Sequence, residues 1–183
     1  MKATLIATTL LAVLLLLPTA MEAQHTPDPM STVTLRFQLI EADGFTTVDP
    51  QIADVEAVLR RLFRFRGYRL LNDAVLSNVV PLNSSSSERD SWADYQVRQS
   101  LNVGGNEYTI FVDVRWVWTT ESGARSVDLA VLLFRDGPAG TAMLLETSVR
   151  IPDEQTVVLG NAQGTQTENA IILTVRPEVN TPR

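Results

Sequence analysis

The sequence predicts an α+β domain in which one main amphipathic helix packs on a mostly antiparallel β-sheet. Three observations lead there: a period-two segment early in the chain, a well-delimited helix signature directly after it, and a long remainder of alternating segments separated by short turn signals. The chain has 183 residues, 45% apolar and 20% charged, the balance of an ordinary globular domain. A body of roughly 160 residues buries about two-thirds of its unfolded surface, so it needs neither metal nor disulfide to hold it.

Met1 and Lys2 make a short basic start, residues 5–17 form an apolar run, and Pro18 with small residues leads to Ala23 and Gln24. This is the order of a secretory signal peptide, expected over 1–23, with Ala20 as a second cleavage candidate. The alternative is an uncleaved anchor, which normally takes about 20 apolar residues, more than this run holds. Residues 24–31 are expected to be a flexible N-terminal segment, 32–179 a single α+β domain with a Ser-rich loop near 82–91, and 180–183 a tail.

Within the domain, Val33, Leu35, Phe37 and Leu39 alternate with Thr34, Arg36 and Gln38, which makes 32–41 a half-buried strand. Asp49 is a good N-cap, Pro50 suits the first helical position, and Gly67 is placed to end a helix in which Ile52, Val55, Leu59, Leu62 and Phe63 share one face. Residues 68–71 read as strand, and 72–90 as a loop through Pro81 and the serines at 84–87. Strands at 95–103 and 107–119 join through Gly104, Gly105 and Asn106, and strands at 126–135 and 141–151 through Asp136, Gly137 and Pro138. Two further strands are expected at 155–159 and 169–176.

Several function classes are excluded by composition. There is no cysteine, which removes thiol nucleophiles, thiolate zinc sites and redox pairs, and the one histidine, His25, falls in the expected flexible segment. A serine triad lacks its base, and no phosphate-cradling glycine motif is present, so no catalytic residue, cofactor or metal ligand is assigned. The net charge of −6, with Lys2 the only lysine, argues against nucleic acid as a partner.

Three constellations remain. Arg60, Arg61, Arg64, Arg66 and Arg69 crowd the helix end and the next strand, either as an anionic docking patch or as cations complementing the helix dipole. Glu41, Asp43, Asp49 and Asp54 gather near the strand-to-helix link without the order of a calcium loop. Tyr108, Ile110, Val112, Val114, Trp116 and Trp118 fall on one face of a strand, either a core wall or, at the tryptophans, an aromatic contact surface. The candidate interaction surface is therefore Arg60, Arg64, Arg66, Trp116 and Trp118. A glycosylation triplet begins at Asn83, meaningful only in a eukaryotic secretory route.

The stretches Thr147-Ser-Val-Arg-Ile-Pro-Asp-Glu-Gln-Thr-Val-Val-Leu-Gly160 and Ala170-Ile-Ile-Leu-Thr-Val-Arg-Pro-Glu-Val179 resemble the C-terminal part of the bacterial secretin family, the ring-forming outer-membrane proteins of secretion and pilus export. There a Gly-Gln-Thr-Val-Val-Ile-Gly-Gly stretch opens a strand. Here Glu154 replaces its first glycine, Asn161 its last, and only residues 161–169 separate the two strands, so the gate of that family is not implied. The resemblance implies a strand pair and an envelope setting. The expectation is a non-catalytic protein of the periplasm or outer-membrane periphery of a diderm bacterium, associated with the membrane only through a complex. It acts by protein–protein contacts as an accessory or assembly subunit. Alternatives are a secretin-like ring component, and a periplasmic small-ligand binder or carboxylate enzyme. The exported form is expected to begin near Gln24, and mass spectrometry of the native protein checks this, retention of residues 1–17 being the outcome against it.

Overall fold

The computed structural model describes residues 30–43, 49–81, 96–138, 140–163 and 169–180. Among these residues eight antiparallel strands form two four-stranded sheets. Sheet A has the order β2-β1-β8-β7 and sheet B the order β3-β4-β5-β6. The strands are β1 Met30–Asp43, β2 Gly67–Pro81, β3 Gln96–Val103, β4 Asn106–Thr119, β5 Arg125–Gly137, β6 Gly140–Pro152, β7 Val157–Gln163 and β8 Ala170–Asn180. Strands consecutive in the chain either pair or meet at a corner between sheets, β2 beside β3 and β6 beside β7, and β8 returns to pair with β1. The result is a closed meander flattened into a sandwich.

Alternation builds the core. Val33, Leu35, Phe37 and Leu39 of β1 face Ile110, Val112, Val114 and others of sheet B across the interior. At the β6/β7 corner the layers touch closely: a Cβ on Gly160 would lie 2.7 Å from Leu145 Cδ1, so a larger residue there would push the tip of that leucine aside. Gly104 and Gly105, at φ 57 and 84, make the two-residue turn in which Val103 pairs with Asn106, as the turn chemistry predicts.

The expected α+β architecture with one main helix is corrected by this arrangement. The fold is mostly antiparallel β, and among the described residues its helical part is a short 3-10 turn, Pro50–Ile52, running into α1, Ala53–Leu62. That element covers one end of the outer face of sheet A, where Ile52, Val55 and Leu59 bury Ile40, Ala42 and Ile172 in a second, smaller cluster. Asp49 caps it as expected, accepting from the Gln51 amide at 3.0 Å, and also takes the Leu70 amide at 2.9 Å, which pins the helix start to β2. Its other end is fixed by Tyr68, whose hydroxyl donates to the carbonyls of Leu59 and Phe63. Gly67 does not end the helix but opens β2. Among the described residues no helix is long and apolar enough to cross a membrane.

Two further readings change. Residues 72–81, expected as loop, extend β2, with Ala74, Leu76 and Val80 inward and Val75 and Val79 exposed. Asn72, Asp73 and Asn78 interrupt the apolar alternation there, which hides the strand in the sequence. Strand β1 also begins earlier, at Met30, with Ser31 buried. The Ser-rich loop, the leader and residues 181–183 lie outside the described residues.

Leu62, expected on the buried helix face, is 59% exposed, whereas Leu59 is fully buried. The helix ends at Leu62, and the chain turns to extended backbone at Phe63 before that side chain reaches the sheet. Leu59→Ala is expected to destabilise the fold by about 2 to 5 kcal/mol, and Leu62→Ala by less than about 0.5 kcal/mol. Urea unfolding midpoints of the two variants check the contrast.

Candidate functional site

The helix screens part of the outer face of sheet A, while the outer face of sheet B carries aromatic side chains. How they come to point outward begins with register. Through β4, Tyr108, Ile110, Val112 and Val114 point into the core, and unbroken alternation would send Trp116 and Trp118 the same way. A β-bulge intervenes: Val114 pairs with Leu129 and Trp116 with Asp128, so Arg115 is one residue extra. Parity flips at that point. Val117 takes the core position, 1% exposed, and both tryptophans emerge on the outer face, Trp118 at 42% exposure. Their expected alternative as a core wall is thereby corrected.

Trp118 Nε1 donates to Asp128 Oδ2 at 2.8 Å, and Arg150, on the neighbouring β6, grips the same carboxylate through Nε to Oδ1 at 2.7 Å and Nη2 to Oδ2 at 2.8 Å. The Arg150 guanidinium also lies 4.8 Å from the Trp118 ring centroid, in cation–π range. Trp116 and Trp118 are 6.4 Å apart and tilted by 49°. A shallow depression of about 260 Å³ opens beside them, lined by Trp116, Asp128, Ser148 and Arg150. Burial alone pushes the Asp128 carboxyl up, but hydrogen bonds from Arg150 and Trp118, with the charges of Arg150 and Arg115, outweigh it and hold the group below the usual aspartate value. Asp128 raises the Arg150 guanidinium in turn, chiefly by hydrogen bonding.

Further along the face, Phe111 and Phe134 meet edge to face at 5.6 Å, and Arg98 on β3 lies 5.2 Å from the Phe111 centroid. With Leu132 and Asp136 they line a second open depression of about 410 Å³. Asp136 accepts a hydrogen bond from the Thr141 hydroxyl.

The arginine cluster lies at the helix, on the opposite side of the sandwich. Arg60 is engaged: it pairs with Glu56 at 2.6 Å, donates to the Arg66 carbonyl and lies over Tyr68. Arg61 donates to the Ala57 carbonyl and Arg69 pairs with Glu41, so both serve the local structure, whereas Arg64 and Arg66 are exposed. The structure therefore separates the five candidate residues into two surfaces: Arg60, Arg64 and Arg66 on one, Trp116 and Trp118 on the other. The carboxylates do not form a centre either. Glu41 binds Arg69 and Asn169, Asp49 caps the helix, and among the described residues no three His, Cys, Asp or Glu side chains gather for a metal ion. His25 and Asn83 lie outside the described residues.

Sequence reasoning missed Asp128, Arg150, Arg98 and Phe111. The first two join Trp118 only through cross-strand pairing, Asp128 with Arg150 and with Trp116. The outward alternation of β4 places Phe111 but not its neighbours.

Comparison of the chain with protein-family models and with curated proteins finds no match in either, so what the face can do rests on its own geometry.

The lowered Asp128 value has a signed consequence. A carboxyl depressed on folding contributes stability that is fully present above its unfolded value and is lost as the pH falls through the folded one. Acidification below the ordinary aspartate range is therefore expected to loosen the cluster and shift Trp118 fluorescence, and Asp128→Asn is expected to abolish that acid transition. A fluorescence titration of both proteins measures it; an unchanged transition in the variant is the contrary result.

Proposed function

We propose that this chain is a non-catalytic exported protein of the bacterial envelope that acts through protein–protein contacts, as an accessory or assembly subunit of a larger membrane-associated complex. Its contact surface is the outer face of sheet B. The observation that carries the reading is the outward placement of Trp116 and Trp118 by the bulge at Arg115, with Arg150 held over the Trp118 ring by Asp128. Tryptophan and arginine dominate binding energy at interfaces when they are preorganised and lose little freedom on docking. Both conditions are met by an arginine already held over an indole and hydrogen-bonded to a carboxylate. The open depressions suit broad contact better than enclosure of a small ligand. The export and envelope parts of the proposal are supported by the basic start and apolar run of the first 17 residues and by the secretin resemblance.

A second reading, a secretin-like ring component, has one observation in its favour. Glu154 adopts φ 63, the left-handed region that favours glycine, at the position where that family carries its first glycine. It is followed by β7 and β8, which pair antiparallel. This reading requires a stable high-order oligomer, visible as such by mass.

A photo-crosslinking residue in place of Trp118 tests the favoured function in producing cells. A discrete adduct with another envelope protein is expected, and Arg150→Ala is expected to weaken that partner's binding about tenfold or more while leaving the fold intact. No such adduct, or protein retained in the cytoplasm, overturns the proposal.

A further inference from the structure

The middle of the sheet B face carries a charge pattern that its own rotated image would satisfy. Arg98 pairs in register with Phe111, Phe111 with Leu132, and Leu132 with Glu146, so one row across the sheet reads cation, apolar, apolar, anion. Arg98 and Glu146 are both exposed, and among the described residues neither makes an ion pair within its own chain. The adjoining row adds Phe134 and the 56% exposed Met143, and Ala130 on the other side leaves room for close approach.

We infer that this part of the face docks a second copy of the chain, sheet B against sheet B, about a two-fold axis parallel to the strands and between β4 and β5. The inference rests on the reading of this face as a contact surface. The rotation sets β3 over β6 of the second copy and β4 over its β5, and it preserves position along the strands. Arg98 of each copy then stands opposite Glu146 of the other, while Phe111 meets the Leu132 and Phe134 side of its mate. Such an isologous contact closes on itself. Four strands at about 4.8 Å spacing, over the eight residues of β3, give a patch of roughly 19 Å by 27 Å, or about 1,000 Å² for the two copies together, the threshold size for a specific interface. Because β3 begins at Gln96, opposite Asp113, the tryptophan end of β4 extends beyond the doubly covered region and stays open to a different partner.

A charge-swap series on the native protein isolated from producing cells tests this by sedimentation across a concentration range. The unmodified protein is expected to dimerise. Arg98→Glu and Glu146→Arg, each placing like charges face to face twice, are expected to weaken the dimer at least about tenfold. Mixing the two single variants, or combining them in one chain, restores opposite charges at both contacts and is expected to restore association. The mixture also controls for folding, since unfolded chains could not rescue each other. A monomer at every concentration, single variants as dimeric as the unmodified protein, or a mixture no more associated than its parts would each overturn the inference. A monomer that still cross-links to another envelope protein through position 118 overturns this inference alone; a dimer without that adduct overturns the accessory-subunit reading alone.

Discussion

The antiparallel pairing of β1 with β8 is the contact on which the rest of this fold depends. It joins Thr32 to Asn180 and Ala42 to Ala170 in unbroken register, bringing together strands that are far apart in the chain. Without it sheet A would fall into two separate hairpins, β1-β2 and β7-β8, and the inner face of sheet B would lose its cover. With it, β1 and β8 become the centre of sheet A, flanked by β2 and β7, and their inward residues form the middle of one wall of the interior. Such non-local pairing is slow to find, because the loop must close before any contact rewards the closure. Local devices reduce that burden. Asp153 is one: its amide donates to the Arg125 carbonyl and its carboxylate accepts from the Val179 amide and pairs with Arg125. One residue after β6 thus ties the end of sheet B to the end of β8 in sheet A.

Closure also makes the two outer faces unequal. Sheet A is apolar on both sides at one end, since Ile40, Ala42 and Ile172 need a cover and α1 supplies it. Sheet B has no element laid on its outer side among the described residues, and its outward positions are mixed: aromatic rings, arginines, carboxylates and small polar groups. The carboxylate of Asp128 is neutralised locally by Arg150 and Trp118, which leaves it poorly placed for proton transfer and well placed to hold two large side chains in fixed orientations.

Much of this was legible in the sequence, and the failures have identifiable causes. Strand β1, the Asp49–Pro50 cap and the Gly104–Gly105 turn were readable because each depends on residues adjacent in the chain. The second sheet was not, because nothing local distinguishes a hairpin that extends one sheet from a hairpin that founds another. Strand β2 was hidden by polar residues at outward and partly covered positions, Asp73 being retained by Arg36 across the strand pair. Leu62 has the right spacing for the buried helix face, but it is the last helical residue, and periodicity says nothing about where a helix stops relative to its sheet.

The tryptophans show most sharply how a local event escapes pattern reading. Six side chains at strict spacing from Tyr108 to Trp118 describe one face, and the first four obey. The sequence Val-Arg-Trp-Val-Trp contains no glycine to mark a bulge; what decides is the partner strand, where Val127, Leu129, Val131 and Leu133 hold the core side without interruption. If β4 had no extra residue, Val117 would lie outside and two indoles would have to fit where Val117 now packs, at the end of an interior filled by valines, leucines and isoleucines. The bulge resolves that conflict by giving the core a residue of the right volume, and the rings it expels land beside the arginine and aspartate of the neighbouring strands. The packing of the core and the chemistry of the exposed face are thus set by the same single-residue insertion.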